Sequence, residues 1–196
     1  VAFLTVAVGA LIILAEVRIS NVRKDLLNFA ARDAASAAAT AGIEKSLDAD
    51  RVKYSDIISF GRDENGNIVS VTTDAYSLNK IGNNIGTEID NIINGMKSYV
   101  IKIPFSVLFS EQFINGRGPK MPLVFVMTGI TTTNFSNEFS AAGVNQTHHR
   151  IMLDITVNTY IIHSGNVIVV PYSTNVCIAE SIVVGITPQT FAEIIR

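Results

Sequence analysis

The three histidines and the single cysteine of this 196-residue chain are the first places to look for chemistry. His148 and His149 stand side by side in "AAGVNQTHHRIMLDI", residues 141–155. An HxH pair on a strand offers both imidazoles to one metal, because side chains two apart share a face. Adjacent histidines on a strand do not. Period two sends His149 to the apolar row with Ile151 and Leu153, and His148 to the polar row with Arg150 and Asp154. His163 ends the same run, roughly 50 Å away at about 3.4 Å per residue, so the imidazoles do not converge through it. No metal and no other cofactor is expected.

Nucleophilic catalysis needs a serine or cysteine, a base and an orienting acid. Asp154 and the histidines are present, but GxSxG, HExxH and a framed acidic pair are not. The expectation is therefore a protein that is not an enzyme. A cell-envelope enzyme or small-ligand receptor is the alternative, with Asp154, His148 and Arg150 as its candidate cluster. "FINGRGPK" sets Phe113, Gly116, Arg117, Gly118, Pro119 and Lys120 in a glycine-rich basic loop, without the following helix and lysine-hydroxyl pair of a phosphate cradle. Its expected use is as a weak interaction surface. Cys177 stands alone in "NVCIAES", which excludes an internal disulfide and reads as core. "NFS" and "NQT" match the N-glycosylation sequon, which matters only in a eukaryotic secretory setting.

These residues must be positioned by elements, and the first element sets the class. "VAFLTVAVGALIILA" is a run of 15 residues without a charge, followed by helix-forming sequence with no proline or turn cluster. It reads as an uncleaved membrane anchor over residues 1–16, truncated at its start. From Ile19 one helical face is spaced as Val22, Leu26 and Phe29, then Ala30, Ala34, Ala37 and Ala41. "YSDIISFGR" and "IVSVTTD" flank Asn65-Gly66 and predict a hairpin. Asp74 caps a second helix with Leu78, Ile81, Ile85, Ile89, Ile92 and Met96 as its core stripe. Gly82 and Gly86 border that stripe, each at a cost of about 1 kcal/mol against Ala, which points to a close contact within the domain or with another subunit. "YVIKIPF" is a strand.

The second half is β-rich: "MPLVFVMTGITTT", then "HRIMLDITVNTYIIH", the turn "SGN" and "VIVVPYSTNVCIAESIVVG", with "PQTFAEIIR" as a short final helix. Residues 149 to 161 alternate over far more than the usual strand of about six residues, so an extended antiparallel hairpin is expected. The fold class is α+β: an anchor helix running into a long helix, an αββαβ domain over 17–106, and a β-rich extension over 107–196. Net charge is −2 with scattered Lys and Arg, which argues against nucleic acid as a partner.

Several phrases resemble the YunB family of sporulation proteins from endospore-forming bacteria: "IVSVTTDAYSLN", "KIPFSVLF" followed by "GRGPKMPLVF", "FSAAGVNQTHHRIMLDI" and "IAESIVVGITP", spanning residues 68–188 in one order. The resemblance implies a mother-cell protein of the sporulation programme with one transmembrane helix and the remainder outside the cytoplasm. It implies no catalytic residues. The segment Gly143, Asn145, Gln146, Thr147 and His148 becomes a family signature and a weak interaction candidate. Helix-strand-strand-helix-strand order after an anchor also resembles the ring-building motif of secretion-system rings, by element order alone. The expectation is a membrane-anchored structural or assembly protein in the space between mother-cell and forespore membranes. It is expected to form a homo-oligomer through the edge at Gly82 and Gly86, with other sporulation membrane proteins as possible partners.

Overall fold

A chain with no proline before Pro104 can sustain one long helix, and α1 runs Ala2–Asp50. The computed structural model describes residues 2–50, 54–96, 98–104, 118–163 and 165–184; side chains of α1 are described at 6, 9, 13 and 17 and from 20 to 48. The buried face of α1 is Leu27, Ala31, Ala35, Ala38, Ala39 and Ser46. This corrects the face expected from spacing: Ala37 and Ala41 are exposed, and Phe29 is 72% exposed. The segment carries alanine at both helical phases, so periodicity there could not choose between neighbouring faces.

The single turn α2, Tyr54–Ile57, feeds the predicted hairpin, β1 (Ile58–Arg62) with β2 (Ile68–Thr73), a two-stranded antiparallel sheet. Asp63 fastens its turn. Its carboxylate accepts from the backbone N–H of Asn65 and Asn67 at 3.0 and 2.8 Å, and Gly66 takes φ 82°. The Asn67 side-chain amide donates to the other carboxylate oxygen at 2.9 Å and does most to hold the Asp63 carboxyl below its ordinary range, the backbone bonds adding to it.

Asp74 caps α3 (Ala75–Gly95) as expected: one carboxylate oxygen accepts from the N–H groups of Tyr76 and Ser77, the other from the Ser77 hydroxyl. Leu78, Ile81, Ile85, Ile89 and Ile93 form its buried stripe. Ile93, not Ile92 or Met96, completes it, and Met96 is 40% exposed beyond the helix end.

β3 (Tyr99–Pro104), β4 (Lys120–Gly143), β5 (Gln146–His163) and β6 (Asn166–Val184) form one antiparallel sheet in chain order, so the class is α+β with a long N-terminal helix and a curled sheet. Up to Pro104 the order is α1, α2, β1, β2, α3, β3, which is the helix-strand-strand-helix-strand order expected with the single turn α2 added. Its third strand, however, pairs with β4, in the register Tyr99 to Phe125 through Pro104 to Lys120, across the position where sequence placed a boundary. Stacking of Tyr99 on Phe125, centroids 5.5 Å apart, gives the physical reason. β4 also extends well past "TTT", to Gly143.

The chain packs as two compact units, each assembled from separate stretches. Unit 1 comprises residues 1–38, 91–130 and 158–172, and its described core includes Leu27, Ala31, Ala35, Ile93, Phe125, Met127, Ile161 and Val170. At the end of α3, Asn94 is tied to β4: its side-chain oxygen accepts from the Gly129 N–H at 2.9 Å, while its amide donates to the Gly129 carbonyl. Unit 2 comprises residues 39–90, 131–157 and 173–196, with Ile57, Leu78, Ile81, Ile85, Ile89, Ile151, Leu153 and Ile155 in its described core. Among the described residues no helix is long and apolar enough to cross a membrane.

Candidate functional site

The alternation read along β5 is realised in full: His149, Ile151, Leu153, Ile155, Val157, Thr159 and Ile161 are all 0% exposed. His149 is therefore a core residue whose polar atoms need partners. Unit 2 supplies both. The Asn137 side-chain oxygen lies 3.0 Å from Nε2, so Nε2 carries the proton and donates to it; Nδ1, 2.9 Å from the Tyr54 oxygen, then accepts the phenol O–H. Phe139 stacks on the imidazole with centroids 4.5 Å apart and planes 9° off parallel, and Tyr54 meets its edge. Burial lowers the His149 pKa and raises that of Tyr54, which keeps both neutral, although a hydrogen bond from Ser181 partly opposes the shift on Tyr54. A neutral, doubly bonded, stacked imidazole has no lone pair left for a metal or a substrate proton. It fastens α2 to β4 and β5.

His148 takes the opposite face, as adjacent strand residues must. Its Nε2 lies 3.2 Å from Glu180 on β6. Arg150 pairs with Glu138 at 3.2 Å, and Asp154 accepts from the Asn175 amide. Sequence grouped Asp154, His148 and Arg150 on one polar strand face; the structure gives each a different partner on a neighbouring strand. Two clefts among the described residues are lined by other residues, Arg62, Asp63 and Gly66 to Val69 with Val184 in one, and Ser20, Arg23, Lys24 and Leu27 with Asn166 to Ile168 in the other. Among the described residues no group of three His, Cys, Asp or Glu is placed to hold a metal.

The glycines that sequence assigned to an interaction edge have their neighbour inside unit 2. A Cβ on Gly82 would stand 2.9 Å from Thr133 Oγ1 and 3.0 Å from the Phe135 ring; one on Gly86 would stand 3.8 Å from Thr131 and Thr133. Both face β4. The segment from Gly143 to His148 is a hairpin turn and the start of β5: Gly143 takes φ 150° and Asn145 φ 57°, with Val144 83% exposed at the tip. Those backbone angles explain the glycine and asparagine of the phrase, and Gln146, Thr147 and His148 open the strand that follows. Of the loop from Phe113 to Lys120, Phe113, Gly116 and Arg117 lie outside the described residues. Gly118, at φ 120°, and Pro119 lead exposed into Lys120, the first residue of β4.

Sequence missed Tyr54, Asn137 and Phe139 as the setting of His149. Only the period-two row pointed inward from that histidine; nothing local named its partners. Cys177, read as core, is exposed. On β6 the half-buried row falls on even positions from Ile168 to Ile178, so an odd-numbered residue in this stretch turns outward.

Helices and a curled antiparallel sheet, with His148 engaged in pairing and His149 in packing, define an α+β scaffold whose described residues hold no catalytic constellation. Residues 100–190 match the family model of the sporulation protein YunB, Spo_YunB, so this stretch of the chain is similar to that family of sporulation proteins. The match covers three of the phrases that carried the resemblance in whole or nearly so, while "IVSVTTDAYSLN" precedes it. A search of curated proteins found no relative, and a search of solved structures found no similar fold.

Proposed function

We propose that this protein is a non-enzymatic structural or assembly component of endospore formation. In this reading it is held in the membrane by the start of α1, has its folded part in the space between mother-cell and forespore membranes, and works as a homo-oligomer. The observation that carries the reading is the similarity of residues 100–190 to the YunB family, which supplies the sporulation role. Support for the anchor comes from α1. Its residues 2–15 carry no charge, and the side chains described there include Val6 at 70% and Ile13 at 62% exposure, with Val17 at 56% just beyond. Apolar side chains left open along a helix are at home in lipid. Self-association draws nothing from Gly82 and Gly86, whose close neighbour is β4.

Topology is the decisive test. Asn65 is exposed at the tip of the β1–β2 turn. With Cys177→Ser removing the native thiol, a cysteine at Asn65 should react with a membrane-impermeant maleimide in protoplasted mother cells. Reaction only after lysis would overturn the proposed orientation.

A further inference from the structure

The sheet of unit 1 has one face turned to its core and one turned out. On the outer face Val100, Val124, Val126, Ile162, Val167 and Val169 are between 48% and 62% exposed, drawn from all four strands, with Val100 directly opposite Val124. An outward face this apolar marks an interaction surface. Its chemistry is also one-sided in charge. The strand segments of unit 1 contain Lys102 and Lys120, both exposed, and not one Asp or Glu. Beside the face, a cleft of about 380 Å³ is lined by Arg23 and Lys24 of α1 and by Asn166 and Val167 of β6. Packing this face against itself in a second copy would bring lysines toward lysines. A strand face that is apolar, carries lysines and holds no carboxylate among its described residues, beside a cleft lined by Arg23 and Lys24, instead complements an anionic bilayer surface.

Position along α1 agrees. Arg23 follows Ala15 by eight residues, about 12 Å at 1.5 Å per residue, which sets the basic cleft near the outer edge of a headgroup layer if the uncharged run ends at the hydrocarbon boundary. We infer that the outer face of the unit 1 sheet rests on an anionic lipid surface, its valines and Ile162 against the acyl boundary and Arg23 and Lys24 on headgroup phosphates. This rests on the anchored reading above and adds a second, peripheral contact to it.

The test uses the full chain with Cys177→Ser and one new cysteine carrying an environment-sensitive fluorophore, reconstituted in phosphatidylglycerol-phosphatidylcholine vesicles with brominated acyl chains. Labels at Val126→Cys and Val169→Cys should lose emission to the bromines, as should a label at Val6→Cys in the anchor. A label at Thr156→Cys, on the polar stretch of the same β5 row, should keep its emission. Arg23→Gln combined with Lys24→Gln should restore emission at 126 and 169 and leave the loss at position 6. Loss at position 6 with none at 126 and 169 would overturn the lipid contact while the anchor stands. Absence of loss at all three would overturn both, position 6 reporting the failure of the anchor. Labels at 126 and 169 shielded from aqueous iodide yet untouched by the bromines would assign the face to a second copy or to another part of this chain, and would overturn the lipid contact.

Discussion

His149 is where a single residue carries most structural consequence. Its ring is stacked on Phe139 and both nitrogens are bonded, so His149→Ala removes packing and leaves the Tyr54 hydroxyl and the Asn137 oxygen without partners. The expected loss is about 1–3 kcal/mol in chemical denaturation. His148→Ala breaks only a partly exposed pair with Glu180 and should cost no more than about 0.5 kcal/mol. Acid should act through the same residue. Burial lowers the His149 pKa from its ordinary 6.5, so the unfolded chain takes up a proton at a pH where the folded chain does not. Its contribution is whole above about 6.5 and declines as pH falls below that value toward the lower folded pKa. Melting temperature should therefore drop on acidification through this window, and the drop should shrink in His149→Gln. Cys177 offers a plainer check: an exposed thiol should react with a water-soluble maleimide at native rates, without denaturant.

Elements are decided by where backbones come close. α1 meets α3 in unit 2 at Gly42, where an added Cβ would stand 2.6 Å from Ile89 Cγ1 and 3.0 Å from the Ile89 backbone nitrogen. Gly42→Ala gains helix propensity but drives a methyl into backbone, and should destabilise by about 1–3 kcal/mol. Gly82 and Gly86 separate in the same way. At Gly86 a methyl meets Thr131 and Thr133 at ordinary contact distance, so Gly86→Ala should stabilise by up to about 1 kcal/mol. At Gly82 the methyl would crowd Thr133 and Phe135, and Gly82→Leu should cost about 1–3 kcal/mol. Urea titration of the three variants in one detergent would rank them, and a stabilised Gly82→Leu would show that β4 does not lie where it is described.

For the whole molecule, the proposed assembly turns on the number of copies. Light scattering of the detergent-solubilised chain, corrected for bound detergent, should give a multiple of the 21.2 kDa protomer. A mass of one protomer across detergents would remove the oligomer and leave a monomeric component that meets one partner at a time. Salt supplies a second reading at this scale. Lysines and arginines against anionic headgroups are screened within a Debye length of about 10 Å at 0.1 M, whereas an anchor helix is held by its apolar surface. Raising ionic strength should therefore free the labels on the unit 1 sheet before it extracts the protein from vesicles.

What the sequence determined by itself are the features with a strict local period or a local cap. The β5 row from His149 to Ile161 could be read because alternation over that length leaves a single inward set, and the core of α3 from Leu78 to Ile89 because large apolar residues mark one helical face there. Asp74 and the glycine turns at Gly66 and Gly165 were legible because their bonds and backbone angles involve only near neighbours. The family phrases at 100–190 were equally open, since they are strings of residues. Tertiary structure alone decided the rest. Alanine at both phases of α1 fits either face until a neighbour packs on it, and β3 found β4 because a strand's hydrogen-bonding edge names no partner. A glycine announces a close approach without saying to what, so only the fold could place β4, and not a second subunit, against Gly82 and Gly86. Tyr54, Asn137 and Phe139 surround His149 from 95, 12 and 10 positions away, and no window of sequence holds a contact made by folding across that distance.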